Sequence, residues 1–264
     1  MLRERYREAR DRKDEDWQTL LRFLKGLEPG AVGFMATNWD TVVEDMLTEA
    51  HGIRGFDYGC DAICASLRTA HKEIKETDTS GIKVPVIKMH GSVNWLYCDN
   101  CRSLFWMQAD QTDKVAGQLL SSEDWKRIDP ASSHKNDRWH CGRCGANSLG
   151  TRFATFSYRK ALDFPMFQKS WFSAERLLRD AKNWIFIGYS LPAADFEFKY
   201  LLKRVQLSRR DSPNFAVVSG GVTSDRAYQH YQRFFGREIR SSENFFRGGL
   251  DTDAMAYIAD LLDS

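Results

Sequence analysis

Short apolar runs that stop at polar residues alternate along the chain with stretches of helical periodicity, and two Cys-x-x-C pairs interrupt that alternation. These observations predict an α/β fold, a mostly parallel sheet covered by helices on both faces, with a small cysteine-bound insert. At 264 residues the chain is long for one compact layer but suits a domain that carries an insert. Its 42% hydrophobic and 28% charged residues supply both a sizeable core and a solvated surface.

The elements follow in order. A helix is predicted over 3–27, charged at first, then with Trp17, Leu20, Leu21, Leu24 and Leu27 on one stripe; Glu28-Pro29-Gly30 ends it. The apolar run 32–37 stops at Asn38-Trp39-Asp40, and Val42, Val43, Met46 and Leu47 then fall at helical spacing, giving strand, polar turn and helix. A second short strand is predicted at 85–89, and the stretch around the cysteines is loop-rich. Beyond it come a strand at 152–158, a helix at 172–181 and an apolar strand at 184–188 that ends in Gly188-Tyr189-Ser190. Helices at 196–205, 227–235 and 254–262 flank a buried strand at 215–219. The whole reads as a Rossmann-like sheet without internal repeats or low-complexity tracts.

Charge narrows the classes of partner. Against 36 acidic side chains stand 38 basic ones, so the net charge of +2 gives no global reason for nucleic-acid or membrane binding. The opening Met1-Leu2-Arg3-Glu4-Arg5 is charged, no apolar stretch approaches spanning length and no secretory core is present, which places the expectation in the cytoplasm. In a reducing compartment the cysteines are expected to bind metal rather than to form disulfides. Cys98/Cys101 and Cys141/Cys144 can each turn two sulfurs toward one point and together close a tetrahedral zinc site. Four protein ligands leave no open position, so such a zinc is structural. Thirty-nine residues separate Cys101 from Cys141, longer than the usual ribbon interval, which implies an elaborated loop; His140 is a competing ligand. Cys60 and Cys64, four apart at helix-like spacing, read as buried structural thiols.

In parallel α/β sheets ligands settle at the carboxyl ends of the strands. The polar residues there are Asn38, Asp40, His90 and Ser190, the last beside Gly188. An amide, a carboxylate, an imidazole and a hydroxyl next to a glycine suit a nucleotide sugar, which needs hydroxyl-directed hydrogen bonds and close backbone approach to phosphate. Each also has a plainer reading. Asn38 or Asp40 can cap the following helix, His90 can be a satisfied turn histidine, and Gly188 and Ser190 can be ordinary turn residues.

Taken in order, Thr37-Asn38-Trp39-Asp40, Lys88-Met89-His90-Gly91-Ser92, the two cysteine pairs and Ile187-Gly188-Tyr189-Ser190-Leu191-Pro192 with Asp195 beyond resemble the sirtuin family, in particular its divergent bacterial sirtuin-like branch. The resemblance spans about 33–219. It implies NAD as co-substrate and structural zinc on Cys98, Cys101, Cys141 and Cys144. By the same likeness His90 is the general base, Asn38 and Asp40 sit with Thr37 around the nicotinamide ribose, and Gly188, Ser190 and Ser219 approach the dinucleotide phosphates or the adenine ribose. It further implies an NAD-binding domain from 1–96 and 151–264 and a zinc-ribbon insert at 97–150. The implied chemistry is cleavage of the nicotinamide–ribose bond through a transition state of oxocarbenium character. Attack by water gives an NAD glycohydrolase, attack by an acyl-lysine oxygen a deacylase. Bacterial relatives of this kind often serve as NAD-depleting effectors of antiviral defence.

The chain departs from the family pattern in three places. No G-x-G motif precedes Gly33, so either an upstream segment is missing from this chain or its cofactor grip is incomplete, and the sheet loses a central position. After Ser190 the chain runs through Leu191-Pro192-Ala193-Ala194-Asp195 into a helix rather than an extended peptide-pairing segment, which shifts the expectation toward a hydrolase. Val217-Val218-Ser219 offers serine where the family often has asparagine. Two alternatives stay open: a degenerate domain that assembles with protein partners or with itself, and a zinc-ribbon binding module using Arg138, Arg143, Arg152 and Trp139 on nucleic acid or a protein partner.

Overall fold

The computed structural model describes residues 15–79, 81–108, 111, 139–153, 165–241 and 243–263. Its contacts divide the described residues into two units, the first holding those between 24 and 174 and the second 15–23 with those between 175 and 263.

In the first unit, strand β1 (Phe34–Ala36) leads through helix α2 (Val42–His51) to β2 (Gly55–Asp57), and both strands pair in parallel with β5 (Lys83–Lys88). Helix α1 (Glu15–Lys25) precedes them in the chain and, up to Phe23, belongs to the second unit. Parallel neighbours require a crossover, which α2 supplies after β1. It ends at Gly52, whose positive φ of 69° lets its N–H return to the carbonyl of Thr48.

The larger sheet of this unit is mixed. Its six strands run in the order β8, β4, β3, β7, β6, β9, namely His140–Cys141, Glu73–Glu76, Ala62–Arg68, Leu104–Met107, Gly91–Cys98 and Leu149–Phe153. Successive side chains of a strand point to opposite faces. Here the even residues of β3 and β7 (Ala62, Cys64, Leu104, Trp106) and the odd residues of β6 (Trp95, Tyr97) pack with Tyr58, Val86 and Phe167. Their neighbours Ile63, Ala65, Phe105, Met107, Leu96 and Cys98 pack on the other side with Ile74, Trp139 and Cys141. Both faces are thus covered. The helical spacing expected for Cys60 and Cys64 is corrected accordingly: Cys64 lies within β3 and Cys60 just before it, the first buried and the second half-buried.

Helix α3 (Pro165–Asp180) begins in the first unit and continues into the second. Proline at its first position fits, since that N–H has no helical partner. The second unit then alternates strand and helix: β10 (Asn183–Ile187), α4 (Phe196–Ser208), β11 (Asn214–Val218), α5 (Ser224–Phe235), β12 (Phe245–Phe246) and α6 (Thr252–Asp263). β10, β11 and β12 form a parallel sheet, with Ile187 opposite Val218 and Val218 opposite Phe246. Ala216 and Val218 face Ala254 and Ile258 of α6, while Trp184, Phe186 and Phe215 meet Tyr231 and Phe235 of α5 edge to face or tilted. The fold is therefore α/β with parallel sheets and helices, although instead of one mostly parallel sheet it has two purely parallel three-stranded sheets and a six-stranded sheet that mixes parallel and antiparallel pairs. The expected strand 152–158 is described only to residue 153, within β9; its remainder lies outside the described residues. So does the part of the expected N-terminal helix before residue 15. Among the described residues no helix is long and apolar enough to cross a membrane.

Candidate functional site

In the first unit the parallel register places Ala36 opposite Lys88, so the turns after β1 and β5 leave the sheet side by side. They are tied together along their length. Met89 N–H donates to the carbonyl of Ala36 (3.0 Å) and Val93 N–H to that of Trp39 (2.9 Å), which also accepts from Ser92 Oγ (3.2 Å). Asn38 and His90 therefore occupy neighbouring turns at the carboxyl end of one parallel sheet, the amide exposed and the imidazole 2% exposed. Thr37 is half-buried in the same turn. Asp40 acts locally, its Oδ1 accepting the N–H of Val42 (3.2 Å) and closing an Asx turn at the start of α2. The Thr41 hydroxyl donates to Asp45 one turn on (3.3 Å).

Beneath these turns lies a buried polar network of which the sequence motifs contain only Lys88. Lys88 donates to the carbonyl of Asp40, and its Nζ lies 3.5 Å from Glu44 Oε1 on α2. The Tyr58 hydroxyl donates to the same Glu44 oxygen (3.3 Å) and accepts from Asn94 Nδ2 (3.1 Å), which also reaches the carbonyl of Met107 (3.0 Å). Burial raises the Glu44 carboxyl above its ordinary value, and the Lys88 ammonium opposes that rise. The available signal was a lysine closing the otherwise apolar run Val84-Pro85-Val86-Ile87-Lys88, with a glutamate on the inward face of α2.

In the second unit Gly188 and Ser219 follow directly on β10 and β11. Gly188 adopts φ +68°, and its N–H reaches the carbonyl of Val218 (2.9 Å). Ser190 is exposed and its carbonyl meets His230 Nδ1 (3.0 Å), whereas Ser219 is mostly buried and its N–H donates to Phe246 (2.8 Å). Leu191, directly after Ser190, is buried at φ +51°, a rare conformation for a bulky side chain. Tyr189 pins this turn, donating to Asp195 Oδ2 (2.7 Å) while its own carbonyl accepts from Tyr231 (2.8 Å). Burial, and then the Asp195 carboxylate, keep the Tyr189 phenol protonated.

The four knuckle cysteines converge. Their sulfurs all lie within 4.8 Å of one another, with Cys98 to Cys144 at 3.6 Å and Cys101 to Cys141 at 3.7 Å. A tetrahedral zinc with Zn–S bonds of about 2.3 Å requires sulfurs about 3.8 Å apart, so the set fits zinc. The exposed Cys144 thiol is lowered to about 6, first by its hydrogen bond with Asn100, whereas burial pushes Cys141 up to about 12. A coordinated divalent cation removes that disparity by ionising every ligand. His140 stands apart from the sulfurs, its Nδ1 3.3 Å from the carbonyl of Gly145. Two groups that a nucleic-acid-binding ribbon would need are otherwise engaged: Trp139 is buried in the core, and Arg143 pairs with Glu76. Arg138 and the side chain of Arg152 lie outside the described residues.

No family model and no curated protein matches the sequence. Solved Sir2 structures are similar to it. One is Sir2Af2 bound to a myristoylated histone peptide, 16% identical over 69% of this chain with a TM-score of 0.31. Another is a Sir2 protein with a p53 peptide and NAD+, 21% identical over 52% of this chain with a TM-score of 0.28. A third is Sir2 in complex with the inhibitor EX-527, 2'-O-acetyl-ADP-ribose and a deacetylated p53 peptide, 14% identical over 99% of this chain with a TM-score of 0.37. The matched regions span 58%, 44% and 79% of those chains, respectively.

Proposed function

We propose that this chain is a sirtuin-like NAD-consuming enzyme that cleaves the nicotinamide–ribose bond and passes the ribose to water, releasing nicotinamide and ADP-ribose. The observation that carries the reading is the pairing of the Asn38 and His90 turns at the carboxyl end of one parallel sheet, in the motif order of the sirtuin resemblance. In this reading the His90 imidazole takes a proton from a ribose hydroxyl or from the attacking water, and the exposed Asn38 amide holds that sugar or water in line. Asp40, engaged with Val42 N–H, shapes the turn and places negative charge near the developing positive charge. Thr37 belongs to the same ribose contact. Gly188, Ser190 and Ser219 are assigned to the rest of the dinucleotide, and the cysteine cluster to structural zinc.

Water is favoured over an acyl-lysine acceptor because the chain after Ser190 runs irregularly into α4 at Phe196 without forming the strand edge that peptide addition needs. The NAD-binding part is drawn from 1–96 and 151–264 and the zinc ribbon from 97–150. Depletion of cytoplasmic NAD in antiviral defence is the biological role this activity would serve.

The test is nicotinamide release from NAD by the purified, zinc-loaded chain, with His90→Ala and Asn38→Ala as controls and an acyl-lysine peptide as an added acceptor. Release that both substitutions abolish and the peptide leaves unchanged supports the hydrolase. Release that requires the peptide makes the protein a deacylase, and a folded, zinc-bound chain that releases none refutes the proposal.

A further inference from the structure

Lys88 is 0% exposed, as buried as Val84 and Val86 on the same strand. A buried ammonium is unfavourable unless it is paired and hydrogen-bonded, so an apolar residue would serve a purely packing position better. Its two partners follow one turn in the chain. The Asp40 carbonyl closes the turn that contains Asn38, and Glu44 lies on the first turn of the helix that follows. Glu44 is itself oriented by the Tyr58 hydroxyl, which Asn94 of β6 contacts in turn. The backbone bonds of Ala36 and Trp39 hold the same turn against Met89 and Val93, on either side of His90.

We propose that Lys88, held by Glu44, is a positioning residue that locks the Asn38–Asp40 turn onto the strand end carrying His90. The proposal rests on the reading of the site given above. Lys88 touches no reacting atom; it acts through the Asp40 carbonyl. Without its ammonium that carbonyl loses a charged donor, and Asn38, two residues earlier, loses its fixed place beside the imidazole. A misplacement of about 1 Å at a reacting centre can cost about a hundredfold in rate.

The experiment compares Glu44→Gln, Lys88→Met and the double variant Glu44→Gln/Lys88→Met, the last removing both charges while nearly conserving volume. Two readouts are taken on zinc-loaded protein: steady-state nicotinamide release, and amide hydrogen exchange of peptides covering 38–46, 91–98 and 104–107. For the double variant, kcat is expected to fall at least tenfold with KM within about threefold, and exchange to accelerate over 38–46 alone. Unchanged kcat together with unchanged exchange at the turn overturns the assignment. Acceleration spread equally over β6 and β7 marks a merely structural pair and overturns it too. If the wild-type chain releases no nicotinamide, the functional reading fails while exchange still decides the positioning. If the Lys88 variants do not fold, Glu44→Gln decides it by the same local exchange.

Discussion

Gly142 sits inside the second cysteine knuckle, and replacing it with alanine tests how that knuckle is seated on the sheet. A Cβ at this position would lie 2.1 Å from the carbonyl oxygen of Ile74 and 3.2 Å from its carbon. Real Cβ contacts do not fall below 3.0 Å, so β8 must move away from β4 by about 1 Å. That movement breaks the hydrogen bond from Gly142 N–H to Ile74 (3.0 Å) and strains the one from His140 N–H to Lys72 (2.7 Å). At about 1 kcal/mol net each, with a similar loss from the loosened packing of Ile74 and Cys141, the cost is about 3 kcal/mol. For a unit of this size that lowers the melting temperature by about 6–12 °C. The same shift carries Cys141 away from Cys101, and zinc affinity measured against a chromogenic chelator is expected to fall at least tenfold. Gly145→Ala is the control. Gly145 has φ +70° but open space around its Cα, so alanine there meets only backbone strain of about 1 kcal/mol. A Gly142→Ala protein that melts within about 1 °C of the parent and holds zinc equally well would refute the pairing of β8 with β4.

Three further outcomes are expected. Cys98→Ser removes a buried sulfur from the four-cysteine set, and zinc content measured by plasma mass spectrometry should drop to background, with a fall in thermal stability that added zinc does not restore. Glu44 carries a carboxyl raised above its ordinary 4.5 by burial, so the folded state binds its proton more tightly than the unfolded state does. Its contribution is full below about pH 4.5 and is lost as pH rises through the raised value; melting curves across that window should slope downward in the parent relative to Glu44→Gln. Leu202→Ala, at a fully buried position of α4, should cost about 2–5 kcal/mol by urea titration, and a loss under 1 kcal/mol would show that α4 packs otherwise.

The strands most legible in the sequence were those whose ends carry a change of character. β1, β5, β10 and β11 are apolar runs that stop at Asn38, His90, Gly188 and Ser219, and the structure forms a strand at each. The strands β3, β6 and β7 were hidden because both of their faces are covered. With Cys64 buried on one side and Ala65 on the other, no polar alternation marks the period of two, and the spacing of Cys60 and Cys64 imitates a helix. Buried Asn94 interrupts the apolar pattern of β6 in the same way. The helix α3 starts seven residues before the expected 172, at Pro165, because a proline, usually a helix breaker, is accommodated at a helix's first position, where its missing N–H has no partner to lose. The Cys cluster was legible from its spacing alone. The Glu44–Lys88 pair was not, because its members lie on different elements and meet only through the crossover between β1 and β5.

Strand β6 begins at Gly91, directly after His90, and ends at Cys98, a member of the metal cluster. One strand therefore spans the interval between the imidazole and a sulfur; its register against β9 shifts between Gly91 and Leu96, and from Trp95 onward its parity is binding. Deleting Leu96 alone would carry Tyr97 and Cys98 each to the opposite face, turning the thiol away from its partners. Past that irregularity a change of length is tolerable only in pairs, and a grafted segment there must keep the parity before its composition matters.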